Sequence, residues 1–291
     1  MIGFVNVFKP AGPTSAQVVA RIRRIYSSVA RDRKLTAGHL GTLDPQAAGV
    51  LPVAVGKATR LIPLLGPQRK SYVCLLVVGK TTTTGDALGD PTAMASIPED
   101  WQRRLPSVVD RFIGGIEQRP PMFSALKHQG RRLYDLARKG TIVERKARRV
   151  TIYALNVLGF EGKDAVRLRI ACSEGTYIRT LCEDIGLALG VPAHMGALVR
   201  EGCGPFVLFE SRTMAQIADD PKAALTAPEH IIPFPTVVLD LRGSADFRAG
   251  RAVAVPVGAH GKHVFVRDEA RMLVGIGEMH GALLAPQKVF V

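Results

Sequence analysis

One short segment of the sequence places an imidazole and a carboxylate five positions apart between glycines. It reads Gly38-His39-Leu40-Gly41-Thr42-Leu43-Asp44-Pro45. Glycine permits backbone angles that other residues avoid, while Pro45 fixes its own φ and disfavours a helical Asp44. The segment predicts a loop that holds the Asp44 carboxylate rigidly, where it could act as a nucleophile or a base. The alternative is a structural turn, because Asp-Pro often initiates one and His39 could be a hydrogen-bonded loop residue.

The elements that must position this loop follow from the periodicity of the apolar residues. Residues 2–8 predict a strand, and Thr14-Ser15 predicts the cap of a helix that runs to about Val29. Residues 72–78 are almost wholly apolar, as in a central strand, whereas residues 166–170 alternate, as in a strand with one wet face. Further helices are predicted over residues 101–113, 133–137 and 177–189. The pattern favours an α+β domain with a mixed sheet.

A cluster of three prolines in residues 228–235 marks a domain boundary. Beyond it, short β-like runs separated by glycines predict a small barrel. These glycines are Gly250, Gly258, Gly261, Gly275 and Gly281. The chain therefore divides into a large domain, residues 1–230, and a small β-rich domain, residues 231–291.

Positive charge is in excess and is concentrated in one segment. The 291 residues include 39 Lys and Arg against 25 Asp and Glu, a net charge of +14. This excess favours an anionic partner such as nucleic acid, although membrane-surface and ribosome-associated proteins share it. Residues 127–149 carry nine Lys and Arg against only Asp135 and Glu144. That segment is either a solvated surface or a clamp on an RNA phosphate backbone.

The cysteines and the hydrophobic runs indicate the compartment. Cys74, Cys172, Cys182 and Cys203 form no Cys-x-x-Cys pair, which argues against a zinc knuckle or a disulfide framework. The apolar N-terminal stretch is interrupted by polar residues and proline, and no run of about 18 apolar residues occurs. We therefore expect a cytoplasmic protein with reduced thiols and no association with membranes.

Five blocks occur in an order that is typical of one protein family. They are NVFKPAGPTS at 6–15, GHLGTLDPQAAGVL at 38–51, KSY at 70–72, PMFSALK at 121–127 and GTYIRT at 175–180. From about residue 3 to 205 the chain resembles the TruB family of tRNA pseudouridine synthases. The resemblance implies a mixed-sheet catalytic domain, a basic thumb insertion at about 120–150 that closes over an RNA stem-loop, and a PUA-like RNA-binding domain at 231–291.

The resemblance also implies catalytic roles. Asp44 matches the catalytic aspartate, Arg179 its ion-pair partner, and Tyr72 a tyrosine that stacks on a flipped base and could handle the C5 proton. Asp44 could attack C6 of the base, attack C1′ of the ribose or remove the 2′ proton, because each role requires an ionised carboxylate at the same place. The reaction moves uracil from an N1 to a C5 linkage without a change in composition, so we expect no cofactor and no metal.

Further positions are implied to contact the substrate or the RNA backbone. Substrate-binding residues would be His39, Tyr177, Asp86, Leu198 and Lys9. Backbone contacts would come from Lys127, Arg131, Arg132, Arg148 and Arg149. Lys9 could equally be a simple turn lysine, and the Asp86 loop departs from the family because Thr83 and Leu88 stand where relatives often have aspartates. Val199 likewise replaces the first arginine of a Leu-Arg-Arg motif that Leu198 and Arg200 match in part.

The implied activity is conversion of uridine 55 in the T-arm of tRNA to pseudouridine by a monomer with no obligate protein partner. One alternative is an RNA-binding or tRNA-folding factor, but a pure binder would not need Asp44, Tyr72, Tyr177 and Arg179 together. The other is a guide-RNA-dependent relative that modifies ribosomal RNA within a multi-protein particle. Such relatives usually have a longer C-terminal RNA-binding domain, so the short tail here favours independence.

Overall fold

The computed structural model describes residues 1–124, 127–128, 130–133, 141, 143–255 and 261–290. For residues 127, 128, 131 and 132 it describes the backbone alone. Most of the helix expected over residues 133–137 lies outside the described residues, as does Gly258. The same holds for the side chains of Lys127, Arg131 and Arg132.

The strands of the described residues number eighteen. The first nine in chain order are β1 (Ile2–Lys9), β2 (Ala37–His39), β3 (Ala48–Gly56), β4 (Lys70–Val78), β5 (Lys80–Thr82), β6 (Pro91–Met94), β7 (Gly114–Gln118), β8 (Lys127–His128) and β9 (Arg131–Arg132). The others are β10 (Arg148–Glu161), β11 (Ala165–Cys172), β12 (Ala193–Cys203), β13 (Phe206–Val207), β14 (Thr236–Val238), β15 (Val253–Ala254), β16 (His263–Arg267), β17 (Leu273–His280) and β18 (Leu283–Val289).

The larger domain is built on a mixed sheet. Among the described strands its order is β1-β3-β12-β4-β11-β10-β7, with β2 paired to β3 and β13 paired to β12. The β3–β12 pair is parallel and the other pairs are antiparallel. β4 lies in the middle, as its apolar sequence predicted. β11 alternates between buried residues and exposed Arg167 and Arg169, which confirms the one-sided strand expected over 166–170.

The described α-helices are α1 (Ser15–Ala30), α2 (Trp101–Asp110), α3 (Ile178–Leu189), α4 (Met214–Asp219) and α5 (Leu241–Arg248). Short 3-10 helices span Lys57–Leu65, Leu208–Glu210 and Pro228–His230. The predicted start of α1 is confirmed, because the Thr14 hydroxyl accepts a hydrogen bond from the backbone N–H of Gln17 and the Gln17 side chain completes a capping box. α3 ends where Gly190 adopts a left-handed conformation.

The two faces of the sheet bury different partners. On one face α1, α2 and α3 contribute Ile22, Leu105 and Leu181 to a core that continues into β3 and β4. On the opposite face, Phe4 of β1 packs in a second cluster with Phe265 and other residues of the C-terminal sheet. Burial of apolar surface on both faces stabilises the sheet and fixes the loops at its edge.

The C-terminal residues form a five-stranded sheet in the order β14-β16-β17-β18-β15, with α5 packed against it. Gly275, expected from the sequence to separate two strands, lies inside β17 instead. A Cβ atom on this residue would lie 2.3 Å from the carbonyl oxygen of Lys288 and 2.7 Å from the Phe247 ring. The glycine therefore permits close packing and does not mark a turn.

None of the helices in the described part of the chain combines the length and the apolar character that crossing a lipid bilayer requires.

Candidate active site

A cavity of about 250 Å³ lies where several of the sequence blocks meet. Its wall is formed by residues 41–44, by Lys70 and Tyr72 of β4, by residues 174–179 and by Leu198 of β12, with Ser124 and Met195 completing it. Sites for drug-sized ligands usually occupy about 300–1,000 Å³. The cavity therefore suits a single nucleobase better than a large cofactor.

An aspartate and a buried arginine meet in this wall. Nε of Arg179 lies 3.0 Å from Oδ2 of Asp44. The arginine side chain is only 6% exposed, whereas that of Asp44 is 36% exposed and faces the cavity. The pair expected from the sequence is present, and it leaves the carboxylate accessible to a ligand.

The rest of the Arg179 guanidinium is held by two backbone carbonyls and a second carboxylate. Its Nη1 and Nη2 atoms donate to the carbonyl oxygens of Thr84 at 2.8 Å and Phe123 at 2.7 Å. Oδ2 of Asp86 lies 3.8 Å from Nε. Asp86 is 4% exposed and is absent from the cavity wall among the described residues, so in this structure it holds Arg179 from behind. These contacts fix the direction in which Nε meets Asp44.

The loop that carries Asp44, residues 40–47, is termed the aspartate loop. The first residue of α1 clamps it, because the Ser15 hydroxyl donates to the carbonyl oxygen of Leu43 at 2.7 Å and accepts from its N–H at 2.9 Å. Both backbone groups of the residue before Asp44 are thereby satisfied. The start of α1 and the position of the aspartate are therefore coupled.

Two buried cations bind four other carbonyl oxygens of the aspartate loop. Lys9 is fully buried and its Nζ donates to the carbonyl oxygens of Pro45 at 3.0 Å and Ala47 at 2.6 Å. Arg200, also fully buried, donates to those of Gly41 at 3.0 Å and Thr42 at 3.3 Å. Burial lowers the pKa of Lys9 to about 8. The loop is thus held from beneath by side chains from β1 and β12.

Gly49 allows Arg200 to reach this place. It has a φ of +109°, and a Cβ atom there would lie 2.2 Å from the carbonyl oxygen of Arg200. Any side chain would separate β3 from β12, where Gly49 and Arg200 are paired. Gly49, the last glycine of the sequence block at 38–51, therefore has a packing role.

Two tyrosines line the cavity. Tyr72 is 6% exposed on β4, and Tyr177 is the residue that precedes α3. Burial raises the pKa of both phenols above the usual value. Each phenol therefore keeps its proton at neutral pH, so in the free protein Tyr72 is a hydrogen-bond donor and not a phenolate base.

The other residues singled out from the sequence are distributed as follows. Leu198 lines the cavity, whereas Lys9 and His39 do not belong to the described cavity wall. His39 ends β2, and burial lowers its pKa, which favours a neutral ring at neutral pH. Arg148 and Arg149 are exposed at the start of β10.

Sequence reasoning missed the structural roles of Ser15 and Arg200 and the place of Lys70 in the cavity wall. Lys70 lies 4.0 Å from Glu174, which also lines the cavity. Lys70 is the first residue of the block KSY, and Glu174 directly precedes the block GTYIRT. The face of the sheet on which a strand residue such as Lys70 lies cannot be read from the sequence until the strand register is known. The one signal in the sequence for Lys70 and Glu174 was their position within or next to these two blocks.

Two family models match the chain, the N-terminal domain of TruB family pseudouridylate synthases over residues 27–178 and the tRNA pseudouridylate synthase B C-terminal domain over residues 179–233. The chain belongs to the TruB family of pseudouridylate synthases. It is therefore an enzyme of the isomerase class, as the sequence blocks predicted. The border between the two models precedes β12, which lies between β3 and β4, so that border divides one sheet.

Two curated relatives match over almost their whole length. The chain is 41% identical over 295 residues to tRNA pseudouridine synthase B of Dechloromonas aromatica (strain RCB), covering 99% of this chain and 95% of the relative. It is 36% identical over 288 residues to the protein of that name from Caldanaerobacter subterraneus subsp. tengcongensis, covering 99% of both.

Solved structures of related enzymes share the fold. An H/ACA RNP bound to a substrate RNA containing 2′-deoxyuridine aligns with a TM-score of 0.67 and 30% identity, covering 99% of this chain and 85% of that chain. A Cbf5-Nop10-Gar1 complex aligns with a TM-score of 0.67 and 31% identity over the same shares of the two chains.

Proposed function

We propose that this protein converts uridine 55 in the T-arm of tRNA to pseudouridine and acts as a single chain. The observation that carries the proposal is the Asp44 carboxylate, held 3.0 Å from buried Arg179 in the wall of a cavity suited to one nucleobase. The curated relatives named tRNA pseudouridine synthase B, which match across at least 95% of both chains, support tRNA as the substrate.

The geometry supports base flipping followed by aspartate-dependent cleavage. A base stacked within an RNA loop cannot reach a carboxylate inside a cavity, so the target nucleotide must leave the stack. Tyr72 and Tyr177 offer aromatic faces to the extruded uracil. Asp44 then acts as nucleophile or base while the N1–C1′ bond breaks and the base turns. C5 bonds to C1′ and loses its proton, and N1, released from the ribose, gains one. No atoms are gained and no oxidation occurs, so the reaction requires no cofactor.

The exposed cations near the cavity suit the phosphate backbone of the same RNA. Arg148 and Arg149 are exposed at the start of β10, and Arg148 is close enough to influence the Tyr177 phenol. Backbone contacts by Lys127, Arg131 and Arg132 remain a prediction, because their side chains lie outside the described residues. Each phosphate contact adds affinity through the release of counterions.

The test is to incubate the purified protein alone with an unmodified tRNA transcript and to map pseudouridine by carbodiimide treatment and primer extension. We expect one stop, at position 55, and no stop with a transcript that carries cytidine there. The similarity to the H/ACA and Cbf5 structures favours a second candidate, an enzyme that needs a guide RNA and partner proteins. A protein that is inactive alone but active with a guide RNA would establish that candidate and refute ours.

A further inference from the structure

The Ser124 hydroxyl has no hydrogen-bond partner among the residues that the structure describes. Its side chain lines the cavity, and the residue is only 6% exposed. Within the described part of the chain, no donor or acceptor completes a hydrogen bond with its Oγ atom. Burying a hydroxyl without a partner is unfavourable, and native proteins keep few such groups. A partner supplied by a ligand in the cavity would explain this one.

The backbone around Ser124 is fixed to the catalytic pair. Nη2 of Arg179 donates to the carbonyl oxygen of Phe123 at 2.7 Å, and the Ser124 N–H donates to that of Met122 at 3.0 Å. Ser124 therefore follows directly after a residue bound by the guanidinium that pairs with Asp44. Its hydroxyl lies close to the Tyr177 phenol and offsets part of the rise in that phenol's pKa, as a donor directed toward it would, but the pair does not meet ordinary hydrogen-bond geometry in the free protein. The unpaired Ser124 hydroxyl thus belongs to the cavity wall that would face the reacting nucleotide.

We propose that Ser124 is a substrate-positioning residue whose Oγ donates a hydrogen bond to a carbonyl oxygen of the target uracil. This inference rests on the proposed function, because it requires a uracil in the cavity. Exchanging N1 for C5 at the ribose is equivalent to turning the base about the line through N3 and C6. That turn brings O2 and O4 into each other's places. One fixed donor therefore binds a carbonyl oxygen both before and after the base turns, which keeps the detached base oriented.

The first experiment compares two buried hydroxyls. Ser124→Ala should lower kcat/KM by about 5- to 30-fold, as expected for the loss of one hydrogen bond to the substrate. Its thermal midpoint should be unchanged or higher, because an unsatisfied polar group is removed. Thr180 provides the matched control, since its Oγ1 is also buried without a partner but does not line the described cavity. Thr180→Val should leave kcat/KM unchanged.

The second experiment identifies the group that Ser124 binds. The assay measures conversion of 2-thiouridine or 4-thiouridine at the target position to the corresponding thiopseudouridine, because a thiocarbonyl accepts hydrogen bonds weakly. The effect of Ser124→Ala should shrink to less than about twofold on one of these substrates. The full effect on both would place the contact elsewhere on the nucleotide and refute the proposal.

The outcomes separate this inference from the proposed function. Wild-type protein that forms no pseudouridine in tRNA would refute the proposed function itself. Wild-type activity that Ser124→Ala leaves unchanged would refute only the role of Ser124. A Ser124→Ala protein with a lowered thermal midpoint and a matching loss of activity would show a structural role instead.

Discussion

Asp44 and Asp86 face the same arginine, yet the loss of Asp44 should reduce mainly turnover, whereas the loss of Asp86 should reduce mainly stability. Asp44→Asn keeps the shape of the side chain but removes the charge that a nucleophile or base requires, so we expect turnover to fall by at least about 10³-fold. Arg179 would retain Asp86 and the carbonyl oxygens of Thr84 and Phe123. Because the Asp44 side chain is 36% exposed, the lost pair should change the free energy of unfolding by only about 0–1 kcal/mol.

Asp86→Asn should instead affect the fold. Oδ1 of Asp86 accepts hydrogen bonds from the Thr84 hydroxyl at 2.6 Å and the Leu88 N–H at 3.0 Å, and an asparagine oxygen can keep both. The new NH₂ group, however, would face the Arg179 guanidinium, donor against donor, at a site that is 4% exposed. The expected cost is about 1–3 kcal/mol, or a fall in thermal midpoint of about 2–10 °C. Activity should decrease without being abolished.

Three measurements test this contrast between Asp44 and Asp86. Single-turnover pseudouridine formation reports the chemistry, filter binding reports the affinity for tRNA, and thermal unfolding followed by circular dichroism reports stability. Asp44→Asn activity within tenfold of wild type would remove Asp44 from its assigned role. Equal losses of stability in the two variants would contradict the separation between a carboxylate that faces the cavity and one that holds Arg179.

Three further predictions concern the phenol, the exposed cations and the buried lysine. Tyr72→Phe keeps the aromatic face but deletes the hydroxyl, so single-turnover rates should fall with nearly normal tRNA binding, whereas equal losses would indicate that Tyr72 mainly organises the pocket. Neutralising Arg148 and Arg149 to Gln should weaken tRNA binding and reduce the slope of log K against log salt by up to about 1.8. Arg103→Gln, at an exposed arginine of α2, is the control, and an unchanged slope in the double variant would place the RNA-binding surface elsewhere. Burial lowers the pKa of Lys9 to about 8, so the side chain should lose its charge above that pH. The kcat/KM of the wild type should therefore decline above pH 8, and that of Lys9→Met should show no such decline. Between pH 8 and about 10.4, Lys9 is more protonated in the unfolded chain than in the folded protein. The free energy of unfolding of the wild type should therefore rise with pH relative to that of Lys9→Met.

Local signals predicted most of the elements that carry the site. α1 could be predicted because its cap and its apolar face lie within one short stretch of sequence, and β4 because a continuous apolar run indicates a central strand. The place of Gly275 inside β17 could not be predicted in this way. Its cause is the approach of Lys288 and Phe247, which are remote in sequence.

The same limit applies to the support of the aspartate loop. Within the aspartate loop, the carbonyls that Lys9 binds lie 36 and 38 residues from it in sequence, and those that Arg200 binds lie 158 and 159 residues from it. No periodicity connects such positions, so the sequence could indicate that Lys9 supports the region or is a turn lysine but could not decide between them. The sheet register decides, because it brings β1, β3 and β12 together beneath the loop.

The buried cations explain how an irregular loop can hold a carboxylate in place. The irregular path of the aspartate loop leaves the carbonyl oxygens of Gly41, Thr42 and Ala47 outside any strand or helix, so they need partners from elsewhere in the fold. Lys9 and Arg200 supply charged donors to these oxygens, and such hydrogen bonds are stronger than neutral ones. Arg179 then meets the carboxylate itself. Lys9 and Arg200 thus bind the backbone of the loop, whereas Arg179 binds the carboxylate, and together these contacts keep Asp44 directed into the cavity.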